Sequence, residues 1–162
     1  MRHKNIFDFG VEWNYRTLGL MIMLVLLPNF LGMINISTAI GFKIHLFQYA
    51  VFLAAIIYGP KGGLLSGLFG SVYSAVIMQN PYIAVGNAIL GFFTGLFIRR
   101  GMNTVLAAFS AFLIQLPWLV VTDHYLVGLP MSFIVPLVFT LAATDILWAS
   151  CAHYTAKLKR FL

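Results

Sequence analysis

The 162-residue chain has one cysteine, four acidic residues and a charged fraction of only 9%. A single thiol cannot close an intrachain disulfide, so Cys151 reads as a small packing residue in an apolar helix. With 61% of residues hydrophobic, there is too little polar surface to cover a water-soluble globule. Paired intramembrane carboxylates, a glycine-rich phosphate loop and a nucleophile elbow are all missing, so no catalytic constellation is expected. The histidines are His3, His45, His124 and His153, and no two stand four residues apart as a helical metal pair would. The chain is therefore expected to be neither an enzyme nor a metal or cofactor protein. Repeats and low-complexity tracts are missing too, leaving one domain over residues 1–162. No cleavable leader is evident: the first apolar stretch lacks a small-residue cleavage site and is expected to serve as its own membrane signal.

What the chain has instead is apolar length. A helix of about 20 residues covers a ~30 Å hydrocarbon core. Spans are read near Thr17–Ile34, Ile44–Tyr58, Gly62–Met78, Tyr82–Ile98, Asn103–Thr122 and Met131–Tyr154. The expected fold class is all-α, an integral membrane bundle of six transmembrane helices. Threading the chain alternately puts Arg2, Lys4, Arg16, Lys61, Arg99, Arg100, Lys157, Lys159 and Arg160 on one side, with Lys43 alone on the other. Cytoplasmic loops carry the excess of Lys and Arg, so both termini are expected in the cytoplasm and the protein in the plasma membrane as a multi-pass chain. A net charge of +6 would suggest nucleic acid in a soluble protein. Here the basic residues sit at span ends, where orientation and anionic lipid explain them, so no nucleic-acid partner is expected.

The first fifteen residues mix Arg2, Lys4, Asp8 and Glu12 with Phe7, Phe9, Val11 and Trp13, which suits a short helix on the cytoplasmic interface. Pro28 and Asn29 predict a kink near the outer end of span one. The longest external connection, Gly32–Lys43, could fold back over the outer surface. Cytoplasmic turns are expected at Tyr58–Gly63 and Arg99–Asn103, and residues 155–162 form a basic cytoplasmic tail.

Small residues form ridges on spans three and four. Four-residue steps join Gly63, Gly67, Ser71 and Ala75, and also Ser66, Gly70 and Ser74; span four repeats the device with Asn87, Gly91 and Gly95. In lipid such residues permit the close backbone approach that helix packing needs. Gly63, Gly67, Gly70, Gly91 and Gly95 are thus expected at helix-packing or partner-docking surfaces.

Polar residues inside spans are costly and raise a functional hypothesis. Asn87 and Gln115 fall ~8 and ~10 Å inside the outer ends of their spans. Gln115 shares a helical face with Trp118 and Thr122, just below Asp123 and His124. Span six offers Thr140 and Thr144 one turn apart, followed by Trp148. Apolar walls with a few oriented polar groups are what a small-molecule pocket requires. Asp145, ~20 Å from the outer end of span six, is the only acidic residue deep in a span. Either a hydrogen-bonded structural role or a proton relay is open to it.

At these residues the chain resembles the substrate-binding S components of energy-coupling-factor (ECF) transporters. The likeness lies in Phe47–Arg100: an apolar span ending Tyr58-Gly59-Pro60, a glycine-stepped span, an outer Asn80-Pro81, and a span ending GFFTGLFIRR. The resemblance implies a membrane-embedded subunit that captures a small water-soluble vitamin or related micronutrient from outside. It implies a site built from Asn87, Gln115, Trp118, Asp123, Thr140 and Thr144, with Asn35, Ser37 and Thr38 in a gating loop. Import would require a transmembrane coupling subunit and cytoplasmic ATPases. The chain departs from the family where span one has only Gly19 small, where Ser71 or Ser74 replaces an acidic residue, and where Arg2 replaces the histidine of metal-carrying members. Two other readings stand beside it: a six-span scaffold, and a proton-coupled carrier using Asp145.

Overall fold

The computed structural model describes residues 8–34, 36–37, 43–44 and 46–158. The chain is built from helices α1 (Tyr15–Gly32), α2 (Phe47–Gly70), α3 (Val72–Ile77), α4 (Tyr82–Arg99), α5 (Thr104–Val121) and α6 (Met131–Leu158). A π-helical turn, Thr122–Leu126, extends α5. Between α1 and α2, β1 (Ile36–Ser37) and β2 (Lys43–Ile44) form a two-residue antiparallel pair with Ser37 opposite Lys43. Asn35 and Thr38, expected in the gating loop, lie outside the described residues. Among the described residues, five helical segments are long and apolar enough to cross a membrane: Tyr15–Gly32, Phe47–Ile77, Tyr82–Arg99, Thr104–Leu126 and Met131–Leu158.

Residues 8–14 are not helical, contrary to the expectation of an interfacial helix there. Gly10 takes a left-handed φ of 69°, and Asn14 caps a helix that begins at Tyr15, two residues before the expected Thr17. Its side chain accepts from the Arg16 and Thr17 amides at 2.9 and 3.0 Å, while Thr17 Oγ1 accepts from the Asn14 amide at 2.9 Å. This reciprocal cap satisfies amides that the first turn would otherwise leave free.

The segment Phe47–Ile77, divided in the sequence reading into two spans, turns back on itself at one residue. Gly59 has φ 69° and ψ −157°, outside the helical region, and Pro60 begins the second limb. In a straight helix residues 54 and 62 would stand ~12 Å apart. Here a Cβ at Gly62 would lie 2.9 Å from the Ala54 carbonyl oxygen, and one at Gly63 would lie 3.0 Å from the Ala55 Cβ. The expected turn over Tyr58–Gly63 is thus compressed into Gly59.

The second limb forms a seam with α4. Gly59 and Pro60 meet Gly95, Gly63 meets Gly91, and Gly67 meets the backbone of Asn87. The pairs step four residues forward on α2 as they step four back on α4, so the two helices run antiparallel with their backbones touching. A Cβ at Gly63 or Gly91 would fall onto the other's carbonyl. The first limb packs beside the second, with Val51 also against Gly91. Gly70 instead makes room for the Pro28 ring of α1.

Two breaks in backbone bonding are repaired across the α1–α2 contact. Pro28 has no amide proton to give the Leu24 carbonyl; Ser66 Oγ donates to that carbonyl at 2.6 Å in a buried position. At Ser71 the helix breaks, which leaves the Phe69 carbonyl and the Tyr73 amide without each other. The Asn29 amide inserts between them, donating to Phe69 O at 2.9 Å and accepting from Tyr73 N at 2.9 Å.

The bundle closes because α5 packs on α4, and α6 packs on both α5 and α2. Leu24, Ala50, Phe52, Ala54, Tyr58, Leu90, Ala108, Ala111, Ala149 and Ala152 meet in the core. Outside, Ile22, Phe30, Leu113, Phe139 and Leu147 stand at least two-fifths exposed, an apolar girdle suited to lipid rather than water.

Candidate functional site

The two ends of the bundle differ in charge. One end gathers Arg16, Lys61, Arg99, Arg100 and Lys157. Arg99 lies against Gly10 and Gly59, and its Nη2 donates to the Phe9 carbonyl at 2.8 Å. Lys61 sits 5.6 Å from the Phe9 ring, and Trp13 stacks on Tyr58 at 6.2 Å and 17°. Tyr58 also donates to the Thr17 carbonyl at 2.5 Å, so the segment before α1 is tied across the bundle's basic end. Sequence reasoning left Arg99 as an orientation charge. Its contact with two left-handed glycines is visible only in three dimensions.

The opposite end carries buried uncharged polar groups and Asp123. Asn80 Nδ2 donates to Asp123 Oδ1 at 2.8 Å, and Asn80 Oδ1 accepts from the Tyr82 amide at 3.1 Å. Asn80 is 4% exposed and Asp123 8%. This clasp joins the end of the α2–α3 segment to the π-helical turn and orients the start of α4. One turn deeper, Gly86 lets the side chains of Gln115 and Trp118 pack closely against α4. A Cβ there would lie 3.1 Å from Gln115 Nε2 and 3.3 Å from Trp118 Cδ1. Trp118 donates from Nε1 to the Tyr82 carbonyl at 3.1 Å and meets the Tyr82 ring edge-on at 6.3 Å and 66°. Gln115 is 7% exposed; its amide makes no hydrogen bond among the described residues and is not fully shut off from the surface.

Gln115, Trp118 and Asp123 are therefore brought to one end, linked through Tyr82 and Asn80. Asn87 turns elsewhere: its Nδ2 donates to Ser71 Oγ at 2.8 Å, and Ser71 donates to the Gly67 carbonyl at 2.7 Å. That chain fastens α4 to the α2–α3 break. Thr140 and Thr144 bond their own helix, Thr140 to Pro136 O and Thr144 to Thr140 O, both at 2.9 Å. They make no hydrogen bond to α4 or α5. Hydroxyls one turn apart commonly satisfy themselves in this way, which spacing alone did not reveal. Gly63, Gly67, Gly70, Gly91 and Gly95 all face neighbours within the chain.

The best-formed grooves lie elsewhere, on the flank. One of about 280 Å³ runs between Met21, Ile22 and Val25 of α1 and Leu65 and Phe69 of α2. Another, of about 370 Å³, follows Val72, Val76, Gln79 and Ala84. None of the residues proposed from sequence lines either. Among the described residues, no three of His, Cys, Asp and Glu gather at one point. His124 Nδ1 lies 2.9 Å from the Leu129 carbonyl, and His153 Nδ1 lies 2.9 Å from Thr104 Oγ1.

No protein-family model, characterised protein or solved structure matches the chain. The reading of function therefore stands on these residues and their geometry.

Proposed function

We propose that this is a multi-pass plasma-membrane protein that binds a small water-soluble solute at its arginine-free end, as the substrate-capturing subunit of an importer. In this reading the two limbs of Phe47–Ile77 are separate crossings, giving six, and the basic end faces the cytoplasm. The observation that carries the proposal is Gln115. An amide set among apolar helices with no protein partner is open to a hydrogen bond from a ligand. Gln115 sits beside an indole, opposite a glycine, with its donors and acceptor free. A solute group that reaches that amide would also meet the Trp118 ring, while the Asn80–Asp123 clasp holds the two helices at fixed spacing. The connection between α1 and α2, which holds Ser37, joins helix ends on that same side, and in this reading it serves as the gating loop. The resemblance to ECF S components points to a vitamin or related micronutrient as solute, and to import with a transmembrane coupling subunit and cytoplasmic ATPases.

A scaffold reading is favoured by a separate observation: Asn80, Asn87, Thr140 and Thr144 are already engaged within the chain. The two readings part on one experiment. Protein extracted gently from its membrane is examined by native mass spectrometry. The importer subunit retains a stoichiometric small molecule that Gln115→Leu releases while remaining folded. Absence of any solute from the wild type, or equal retention by the variant, would sink the proposal.

A further inference from the structure

The groove of about 280 Å³ between α1 and the second limb of α2 is lined by apolar side chains alone. Met21, Ile22, Val25 and Leu26 form one wall, Leu65 and Phe69 the other. Ile22, Leu26 and Phe69 are each 51% exposed, so the groove opens on the flank of the bundle rather than into it. Both walls lead to the basic end. Lys61, Leu65 and Phe69 follow at four-residue steps on α2, and Tyr15, Leu18, Ile22 and Leu26 at steps of three and four on α1.

A cation stands at the head of each stripe. Lys61 lies over the Phe9 ring at 5.6 Å. Arg16 folds onto Tyr15: its Nε donates to the Tyr15 hydroxyl at 3.1 Å, and its guanidinium lies 5.6 Å from that ring. Among the described residues, Arg16, Lys61, Arg99, Arg100 and Lys157 outnumber Asp8 and Glu12 at this end. Trp13 and Tyr15 are exposed beside these charges, where amphipathic rings mark the level of lipid headgroups. Leu65 is ~6 Å and Phe69 ~12 Å deeper along the helix than Lys61. The groove thus lies within a single leaflet, which offers about 15 Å of hydrocarbon.

We propose that this groove holds one acyl chain of an anionic phospholipid, whose phosphate is met by Lys61 and Arg16. The inference is independent of solute binding and needs only that the basic end lies at a membrane surface. Walls without a hydrogen-bonding group suit a hydrocarbon chain, and two cations at the mouth favour a negatively charged headgroup over a zwitterionic one. A transmembrane helix of another protein would meet the same walls. Its own cytoplasmic end, however, would bring Lys and Arg, like charges against Lys61 and Arg16. Charge complementarity therefore favours the lipid.

Native mass spectrometry of the full chain, released from nanodiscs of equal phosphatidylglycerol and phosphatidylcholine, tests this. The wild type is expected to keep one phosphatidylglycerol in preference to phosphatidylcholine. Lys61→Gln and Arg16→Gln should each lower that preference about fivefold, the worth of one basic residue at an anionic surface. Lys157→Gln, at the same end but on α6, should leave it unchanged. Ile22→Trp, which fills the groove and leaves both cations in place, should abolish retention. Equal retention of the two lipids by the wild type, equal effects of Lys157→Gln and Lys61→Gln, or undiminished retention in Ile22→Trp would overturn the proposal. Displacement by glycerol 3-phosphate, a headgroup without chains, would show a soluble-anion site and overturn it too. A second membrane protein whose presence excludes the lipid would give the groove to that partner instead. Should Ile22→Trp not fold, full lipid preference in both Lys61→Gln and Arg16→Gln overturns the proposal.

Discussion

Along α2 and α4, small residues let two backbones touch; along α6, larger side chains face lipid, and the Asp145 carboxyl and Trp148 indole nitrogen inside lack partners. Of the best apolar window in Phe47–Ile77, 67% is buried, against 17% in Met131–Leu158. The difference teaches how labour is divided in a bundle without water. In lipid there is little hydrophobic gain from helix association, so stability concentrates where contact is closest. The glycine seam supplies that contact and leaves no room for anything else. Helix α6 and the outer end of α5 are held by fewer anchors, and there the unbonded groups Gln115 and Asp145 reside.

The sharpest way to break this contrast is to fill the seam. Gly63→Leu or Gly91→Leu drives a side chain into a backbone carbonyl and is expected to cost about 3 kcal/mol or more. Gly19→Leu, which meets nothing within 4 Å, should leave thermal unfolding in detergent unchanged. Equal effects at Gly91 and Gly19 would refute the seam. Next in size is Asn29→Leu, which strands the Phe69 carbonyl and Tyr73 amide and should cost about 2–3 kcal/mol by the same assay.

Ser66→Ala leaves the Leu24 carbonyl unpaired, at about 1–2 kcal/mol. That cost should nearly vanish in a Pro28→Ala background, where residue 28 can again donate to Leu24; a full penalty there would show that Ser66 does something else. Smallest of all is Phe139→Ala, a ring 72% exposed on α6, which should shift stability by no more than about 0.5 kcal/mol.

Helical spans, the one-sided placement of Arg and Lys, and the glycine ridges were legible because each is a local pattern. Four-residue steps mark a helix face whatever lies opposite, so Gly63, Gly67, Gly91 and Gly95 could be singled out before their neighbours were known. What lies opposite was not legible. Asn87 shares its depth with Gln115, yet it bonds Ser71 because α4 turns that position toward the α2–α3 break. Thr140 and Thr144 looked like pocket hydroxyls, and their partners are carbonyls of their own helix. Gly59-Pro60 announced a turn, but its compression into one left-handed residue depends on the room Gly95 leaves. Gln48 gave no signal at all: an amide near a helix start is ordinary in sequence, yet the fold buries it with its amide oxygen unpartnered.

The central claim is that the end lacking arginine faces outward and receives solute. It is tested most directly by an impermeant thiol reagent applied to intact cells carrying single cysteines in a Cys151→Ala background. The account predicts that Tyr125→Cys, 74% exposed beside the Asn80–Asp123 clasp, is labelled from outside, while Arg100→Cys reacts only after the membrane is opened. Labelling of Arg100→Cys on intact cells, with Tyr125→Cys protected, would contradict it.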